Sequence, residues 1–219
     1  MIRARVSAER VIGLNKIHTL FKKLLWTDLT TLVLCMFLYA GRFNFWNDAF
    51  SSLGASATPD GRSNALSMLL FMAGLVMSSC FVWRMGVVFR TLRFVPNARL
   101  KSYLLRMTGM GFILMMFPCN IYNGIHSAGS ALVFGMLWLL SVLLLQEEKK
   151  NLRNRYLLFQ FLLQGTILPY AITYVTGAAS KQIFQKIAVA GLIIVLSKAL
   201  RYYRMLFMPS DRSVAYSAS

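Results

Sequence analysis

Hydrophobic residues fall into long runs along this chain, and polar residues are confined to the stretches between them. The apolar segments cover about residues 27–45, 65–88, 103–117, 125–145, 156–175 and 183–206. A helix needs ~20 residues to cross the hydrocarbon of a bilayer. Most of these segments reach that length, and the short third one has flanks that can extend it. The pattern predicts an all-α fold: a polytopic membrane bundle of six transmembrane helices. Ahead of it lies ERVIGLNKIHTLFKKLLW, where Val11, Leu14, Ile17, Leu20, Phe21, Leu24 and Leu25 recur at helical spacing and Lys16, Lys22 and Lys23 occupy much of the remaining surface. This stretch is expected to form a basic amphipathic helix lying in the membrane interface. The expected division is a basic amphipathic cytoplasmic segment at 1–26, the six-helix domain at 27–208 and a flexible cytoplasmic tail at 209–219.

Composition agrees with a membrane class. Of 219 residues, 57% are hydrophobic, above the ~45–50% usual for a soluble domain. Arg3, Arg5 and Arg10 precede mixed sequence, which does not read as a cleavable signal. The net charge of +17, from 24 Lys and Arg against 7 Asp and Glu, would suit a nucleic-acid binder. The basic residues stand just outside the apolar segments, however, where they meet anionic lipid headgroups and set orientation. No aromatic–basic motif accompanies them, so no nucleic-acid partner is expected.

Charge also orients the spans. The amino-terminal arm, the connection with Arg90, Arg93, Arg99, Lys101 and Arg106, the connection EEKKNLRNR and the tail with Arg201, Arg204 and Arg212 are basic. The alternate loops hold only Arg42 and Arg62, then nothing between Pro118 and His126, then Lys181. Both termini are therefore expected in the cytoplasm. A bacterial inner membrane is the expected location.

Association of the helices calls for close approach. Gly109 and Gly111, Gly124 and Ala128, Ser130 and Ala131, and Ala188 and Gly191 supply small residues for it. The 13 methionines read as packing. Pro169 is expected to bend the fifth span, whose Gln160, Gln164, Tyr170 and Thr173 make either an interior polar seam or ordinary interhelical bonds. Lys186 and Lys198 lie toward opposite ends of the last span and are expected to snorkel. Cys35, Cys80 and Cys119 lack metal spacing and read as packed thiols. With two histidines, His18 and His126, on opposite sides, no metal site and no cofactor are expected.

Chemistry-bearing residues collect in two outer loops. The first carries Asn44, Asn47, Asp48, Ser51 and Ser52. In a helix, Asp48, Ser51 and Ser52 would share a face. The second carries Pro118, Cys119, Asn120, Tyr122, Asn123 and His126. Asp48, Ser51 or Ser52, and His126 are candidates for an acid, a nucleophile and a base. Asn47, Asn120, Tyr122 and Asn123 are candidate ligand-binding residues. The same side chains could instead cap helices or lock the two loops together.

Those loops carry a resemblance. FSSLGASATPDGRSN is similar to the Ile-Ser-x-Leu-Gly motif of the Frag/DRAM/Sfk superfamily and its bacterial relatives. MMFPCNIYNGIHSAGSALVF resembles the superfamily's Phe-Pro segment with a histidine opening the next helix. The resemblance covers roughly the first four spans and implies that Ser51, Ser52, Gly54, Pro118 and His126 occupy family positions. Ser52 stands where an acidic neighbour is expected. Eukaryotic members act in GPI-anchor lipid remodelling, autophagy modulation and plasma-membrane lipid organisation, so the implied theme is membrane lipids.

Three functions are open at this point. The first is binding of a lipid or membrane protein partner through an outer polar pocket, with anionic headgroups held at the basic face. The second is acyl hydrolysis or transfer by the Ser/His/Asp cluster. The third is small-solute transport, although no acidic residue lies near the middle of a span.

Overall fold

The computed structural model describes residues 2–92 and 94–207, so the tail at 209–219 lies outside the described residues. The described chain is helical: α1 (Ile2–Leu38), α2 (Ala65–Thr91), α3 (Ala98–Leu114), α4 (Asn123–Glu147), the short α5 (Lys149–Leu152), α6 (Asn154–Thr176) and α7 (Lys181–Phe207). A 3-10 turn at Phe50–Gly54 and an isolated antiparallel bridge between Ala57 and Ser63 shape the first loop.

Helices α1 to α4 pack in sequence order, each against the next. Helix α7 touches both α1 and α4, and α6 lies against α7 and, less extensively, α4. Four helices are long and apolar enough to cross a membrane by length and composition: Ala65–Thr91, Asn123–Glu147, Arg155–Thr176 and Lys181–Tyr203. Their outward faces are apolar. Val175 is 85% exposed and Phe161 78%, with Phe37 on α1 at 82%. A water-soluble monomer rarely leaves such side chains in a continuous surface. The chain has the build of a multi-pass membrane protein.

The interfacial helix and the first span, expected as two elements, form one. Helix α1 runs 37 residues without interruption, or ~55 Å, because neither Gly nor Pro breaks the junction near Leu25. Its basic half does not lie apart from the bundle. Leu14, Ile17, Leu20, Phe21 and Leu24 are buried in the same apolar core as Val88, Phe89 and Leu92. The amphipathic stripe is satisfied by protein. Farther along, the Asp28 carboxylate accepts a hydrogen bond of 2.5 Å from Ser78 Oγ, joining α1 to α2.

Polar pairs continue around the bundle. Ser79 Oγ donates to the Gly109 carbonyl at 2.9 Å, joining α2 to α3. On the α4–α6 side, Trp138 Nε1 donates to Gln164 Oε1 at 3.0 Å. Gln164 thus makes an interhelical bond on the half-buried side of α6, while Gln160 bonds within that helix, accepting from Gln164 Nε2 at 3.4 Å. Helix α6 continues through Pro169, whose carbonyl accepts from Thr173 Oγ1 at 2.8 Å. Tyr170 is buried with its ring centroid 4.8 Å from that of Phe134.

Small residues let α3 and α4 approach backbone to backbone. A Cβ on Gly129 would lie 2.7 Å from the Gly111 carbonyl oxygen and 2.7 Å from the Met115 nitrogen. Both are backbone atoms, so a methyl group there forces α3 and α4 apart. A Cβ on Gly135 meets nothing within 4 Å. Gly129→Ala should therefore cost roughly 1–3 kcal/mol, lowering the thermal midpoint in detergent, while Gly135→Ala leaves it in place. Equal midpoints for the two variants would show that α3 and α4 do not meet at Gly129.

Candidate functional site

The two ends of the bundle treat polar groups differently. At the loop end, residues 44–64 form a cap. Asn64, 1% exposed, sits where α2 begins. Its amide nitrogen donates to the carbonyls of Leu53 (3.2 Å) and Ala55 (2.9 Å), and its oxygen accepts from Ala40 N–H at 3.2 Å. Ser67 Oγ donates to Leu53 and Cys35 carbonyls at 2.8 and 3.2 Å. Thr58 and Arg62 close a turn through Gly61 at φ +83°. Hydrogen bonds from Thr58 and Arg62 hold the exposed Asp60 carboxyl below the usual carboxylate range.

The sequence-selected residues belong to this cap and its neighbours. Asp48 lies in the turn before the 3-10 segment, so it does not share a helix with Ser51 and Ser52. Its carboxylate accepts from Asn44 N–H at 2.7 Å. His126 is buried in the first turn of α4, with Nδ1 3.0 Å from the Phe117 carbonyl. Among the described residues, no hydrogen bond joins Asp48, His126 and a serine hydroxyl. The Ser51 carbonyl accepts from the Cys119 thiol at 3.3 Å, and burial pushes that thiol's pKa up.

Asn120 is a cross-link: its oxygen accepts from Ser56 N–H and its nitrogen donates to Ser56 Oγ, both at 3.0 Å. Asn123 Oδ1 accepts from Ser127 Oγ at 3.2 Å, and Tyr122 sits edge-on to Phe117. Asn47 is exposed, its N–H bonded to Asn44 Oδ1. Lys186 does not snorkel. It is 9% exposed and donates to the Asp48 and Gln182 carbonyls at 2.7 and 3.0 Å, while Gln185 accepts from Phe50 N–H at 3.1 Å. These side chains fasten α7 to the cap.

The opposite, basic end is built otherwise. Lys101 on α3 has no exposed surface. Its ammonium donates to the Pro96 carbonyl (2.6 Å) and the Tyr203 hydroxyl (2.8 Å) and pairs with Glu147. Asn97 Nδ2 donates to the second Glu147 oxygen at 2.9 Å. The only signal for this cluster in the sequence is a pair of glutamates in a basic connection.

Beside it opens a cavity of about 1140 Å³ whose lining includes Arg90, Arg99, Arg106, Asn97, Ser102 and Tyr103. Among the described residues none of these three arginines forms an ion pair, and Arg106 Nε is buried without a hydrogen-bond partner. The Arg106 guanidinium stands 5.5 Å from the Trp83 ring centroid. Planar guanidiniums gathered in this way suit phosphate or carboxylate. The sequence places these arginines among basic residues that meet anionic headgroups and set orientation, and only the fold gathers them around one cavity.

Among the described residues no group of three or more His, Cys, Asp or Glu side chains is placed to hold a metal ion. No family model matches the chain, and no curated protein or solved structure does.

If the cap is held as described, Asn64→Ala strands the Ala40 N–H and the Ala55 carbonyl, leaves the Leu53 carbonyl to Ser67 alone, and costs about 1–3 kcal/mol, whereas Asn47→Ala at the exposed position is neutral. Thermal unfolding in detergent compares the two, and an unchanged Asn64→Ala midpoint would contradict the cap.

Proposed function

We propose that this chain is a six-span membrane protein, with both termini in the cytoplasm, that binds the anionic headgroup of a membrane lipid without transforming it. Bundle geometry supports the span count. Ala40 at the end of α1 meets Asn64 at the start of α2, while Gly13 approaches Leu92 at the other end, so α1 and α2 lie antiparallel along the bundle. Asn120 bonds to Ser56, which sets the α3–α4 connection at the loop end. Helices α2 and α4 therefore both start there, and α3 has to return across the layer between them. Its 17 residues reach ~25 Å, a length that flanking residues can extend to the hydrocarbon thickness. The charge asymmetry between the two ends assigns the basic end to the cytoplasm.

The observation that carries the binding reading is the arginine cavity. It opens at the basic end of the bundle, the end that this reading sets against the anionic headgroups of the cytoplasmic leaflet. The loop-end polar side chains serve backbone carbonyls and amides of the cap, which favours a structural role for Asp48, Asn120 and His126 over acyl transfer. The resemblance of the two loops to the Frag/DRAM/Sfk motifs agrees with a lipid theme, and a bacterial inner membrane would supply the anionic leaflet.

Two measurements test this. In a Cys119→Ser background on intact cells, a membrane-impermeant maleimide should label Pro59→Cys and spare Lys150→Cys. The reverse pattern would invert the orientation, and labelling of both would defeat the span count. Separately, phosphatidylglycerol at saturating concentration should raise the midpoint in detergent by roughly 5–10 °C. Phosphatidylcholine should do less. The difference should shrink with salt and vanish in the triple variant Arg90→Gln/Arg99→Gln/Arg106→Gln. Equal shifts from the two lipids would remove the headgroup reading.

A further inference from the structure

Helix α3 carries Arg99, Tyr103, Arg106, Met110 and Ile113 at i, i+4, i+7, i+11 and i+14, one outward face ~21 Å long. The face is graded. Its basic end lines the arginine cavity, and its far end lines a second hollow of about 360 Å³ between α2 and α3. That groove is bounded by Ser79, Cys80, Trp83, Arg84, Met110 and Ile113, among others. The two hollows adjoin at one contact, the Arg106 guanidinium over the Trp83 ring: Arg106 lines the first and Trp83 the second.

Ser79 is bonded to the Gly109 carbonyl, so the groove's polar floor is already satisfied and its free surface is mostly apolar. Arg84 is among its lining residues, about one and two-thirds helical turns from Arg90. A ligand that fills both hollows needs an anionic group, a short polar neck at the depth of Arg84 and Arg106, and a flexible apolar chain beyond. A free phosphate fills only the first.

Building on the headgroup reading above, we infer that the α2–α3 seam is a site for one anionic glycerophospholipid, its phosphate among Arg90, Arg99 and Arg106 and one acyl chain in the groove beside Trp83. The chain adds apolar contact and the arginines add selectivity. The lipid in this seam is then distinguished from the surrounding annulus by charge and by residence at Trp83.

The test uses the full chain in phosphatidylcholine nanodiscs doped with a phospholipid brominated along its acyl chains, headgroup either phosphatidylglycerol or phosphatidylcholine. Contact with bromine quenches indole fluorescence, and subtracting the Trp83→Phe signal isolates Trp83. At equal mole fraction the anionic lipid should quench Trp83 more strongly. Removing one arginine should lower that preference about fivefold, the effect of one basic residue at a membrane surface. Arg99→Gln, at an exposed position, is the first variant, since Arg106→Gln also loses the stack on Trp83.

A parallel arm adds soluble glycerol phosphate to the detergent-solubilised chain and reads the thermal midpoint. Equal quenching by the two lipids overturns the groove. If phosphatidylglycerol still stabilises through the arginines in that case, the headgroup reading stands alone with the chain elsewhere. If glycerol phosphate stabilises as well as the whole lipid does, the site takes a free phosphate and both lipid statements fall.

Discussion

The buried ammonium of Lys101 constrains the basic end of this molecule. Taking a charge out of water costs several kcal/mol, and the cost is offset only by good geometry and further hydrogen bonds. Lys101 has them: Glu147 from α4, the Tyr203 hydroxyl from α7 and the Pro96 carbonyl from the α2–α3 connection. The Tyr203 ring adds its face, 4.6 Å from the ammonium to the centroid. One side chain thereby fixes the relative positions of three helix ends and a turn. That turn includes Asn97 at φ 49°, an unusual backbone that the bond to Glu147 helps hold.

The cluster also decides the charge of its neighbourhood. Glu147 is consumed by Lys101 and Asn97, so it is not available to the arginines of the adjoining cavity. Arg90, Arg99 and Arg106 are left facing a hollow without an acidic partner among the described residues lining it. Guanidiniums in that situation attract an external anion, because an anion recovers the charge-assisted bonds that no protein carboxylate provides. The loop end shows the opposite arrangement. There Asn64, Asn120, Ser67, Gln185 and Lys186 spend their hydrogen bonds on the protein itself, most of them on backbone groups of the cap. Asparagine, serine, glutamine and lysine side chains thus close the loop end, while the cavity arginines of the basic end keep no carboxylate partner among the described residues.

Much of the helix arrangement was legible because membrane helices are long and apolar by necessity. All six segments appear as helices, with ends displaced by a few residues except at α1. That junction was misjudged because a basic amphipathic stripe looks alike whether lipid or protein covers it. Only the burial of Leu14, Ile17 and Phe21 beside Phe89 and Leu92 distinguishes the two. Lys101 was unreadable for a related reason. A lysine in a basic connection carries the same sequence signal whether it meets water or sits under Tyr203. Asp48, Ser51 and His126 were selected for chemical type, which says nothing of what their atoms touch. Small residues were more informative: Gly109 and Gly111 do mark close contacts, while nothing lies near a Cβ built on Gly124.

The seam between α2 and α3 follows from these constraints acting together. Helix α3 must pack closely on both neighbours, which places Gly109 and Gly111 on its inner sides. It must also turn Lys101 inward to the cluster at its first turn. Those demands leave its remaining face outward, with Arg99 and Arg106 toward the basic end and Met110 and Ile113 farther along. Helix α2 runs antiparallel beside it and repeats the order with Arg90, Trp83 and Cys80. Polarity along the seam therefore falls in the direction in which a phospholipid passes from headgroup to chain, and the Arg106–Trp83 stack stands at the crossover. A general basic collar would orient the bundle equally well. Arginines left without carboxylates beside a groove that continues into the apolar layer are more than orientation requires.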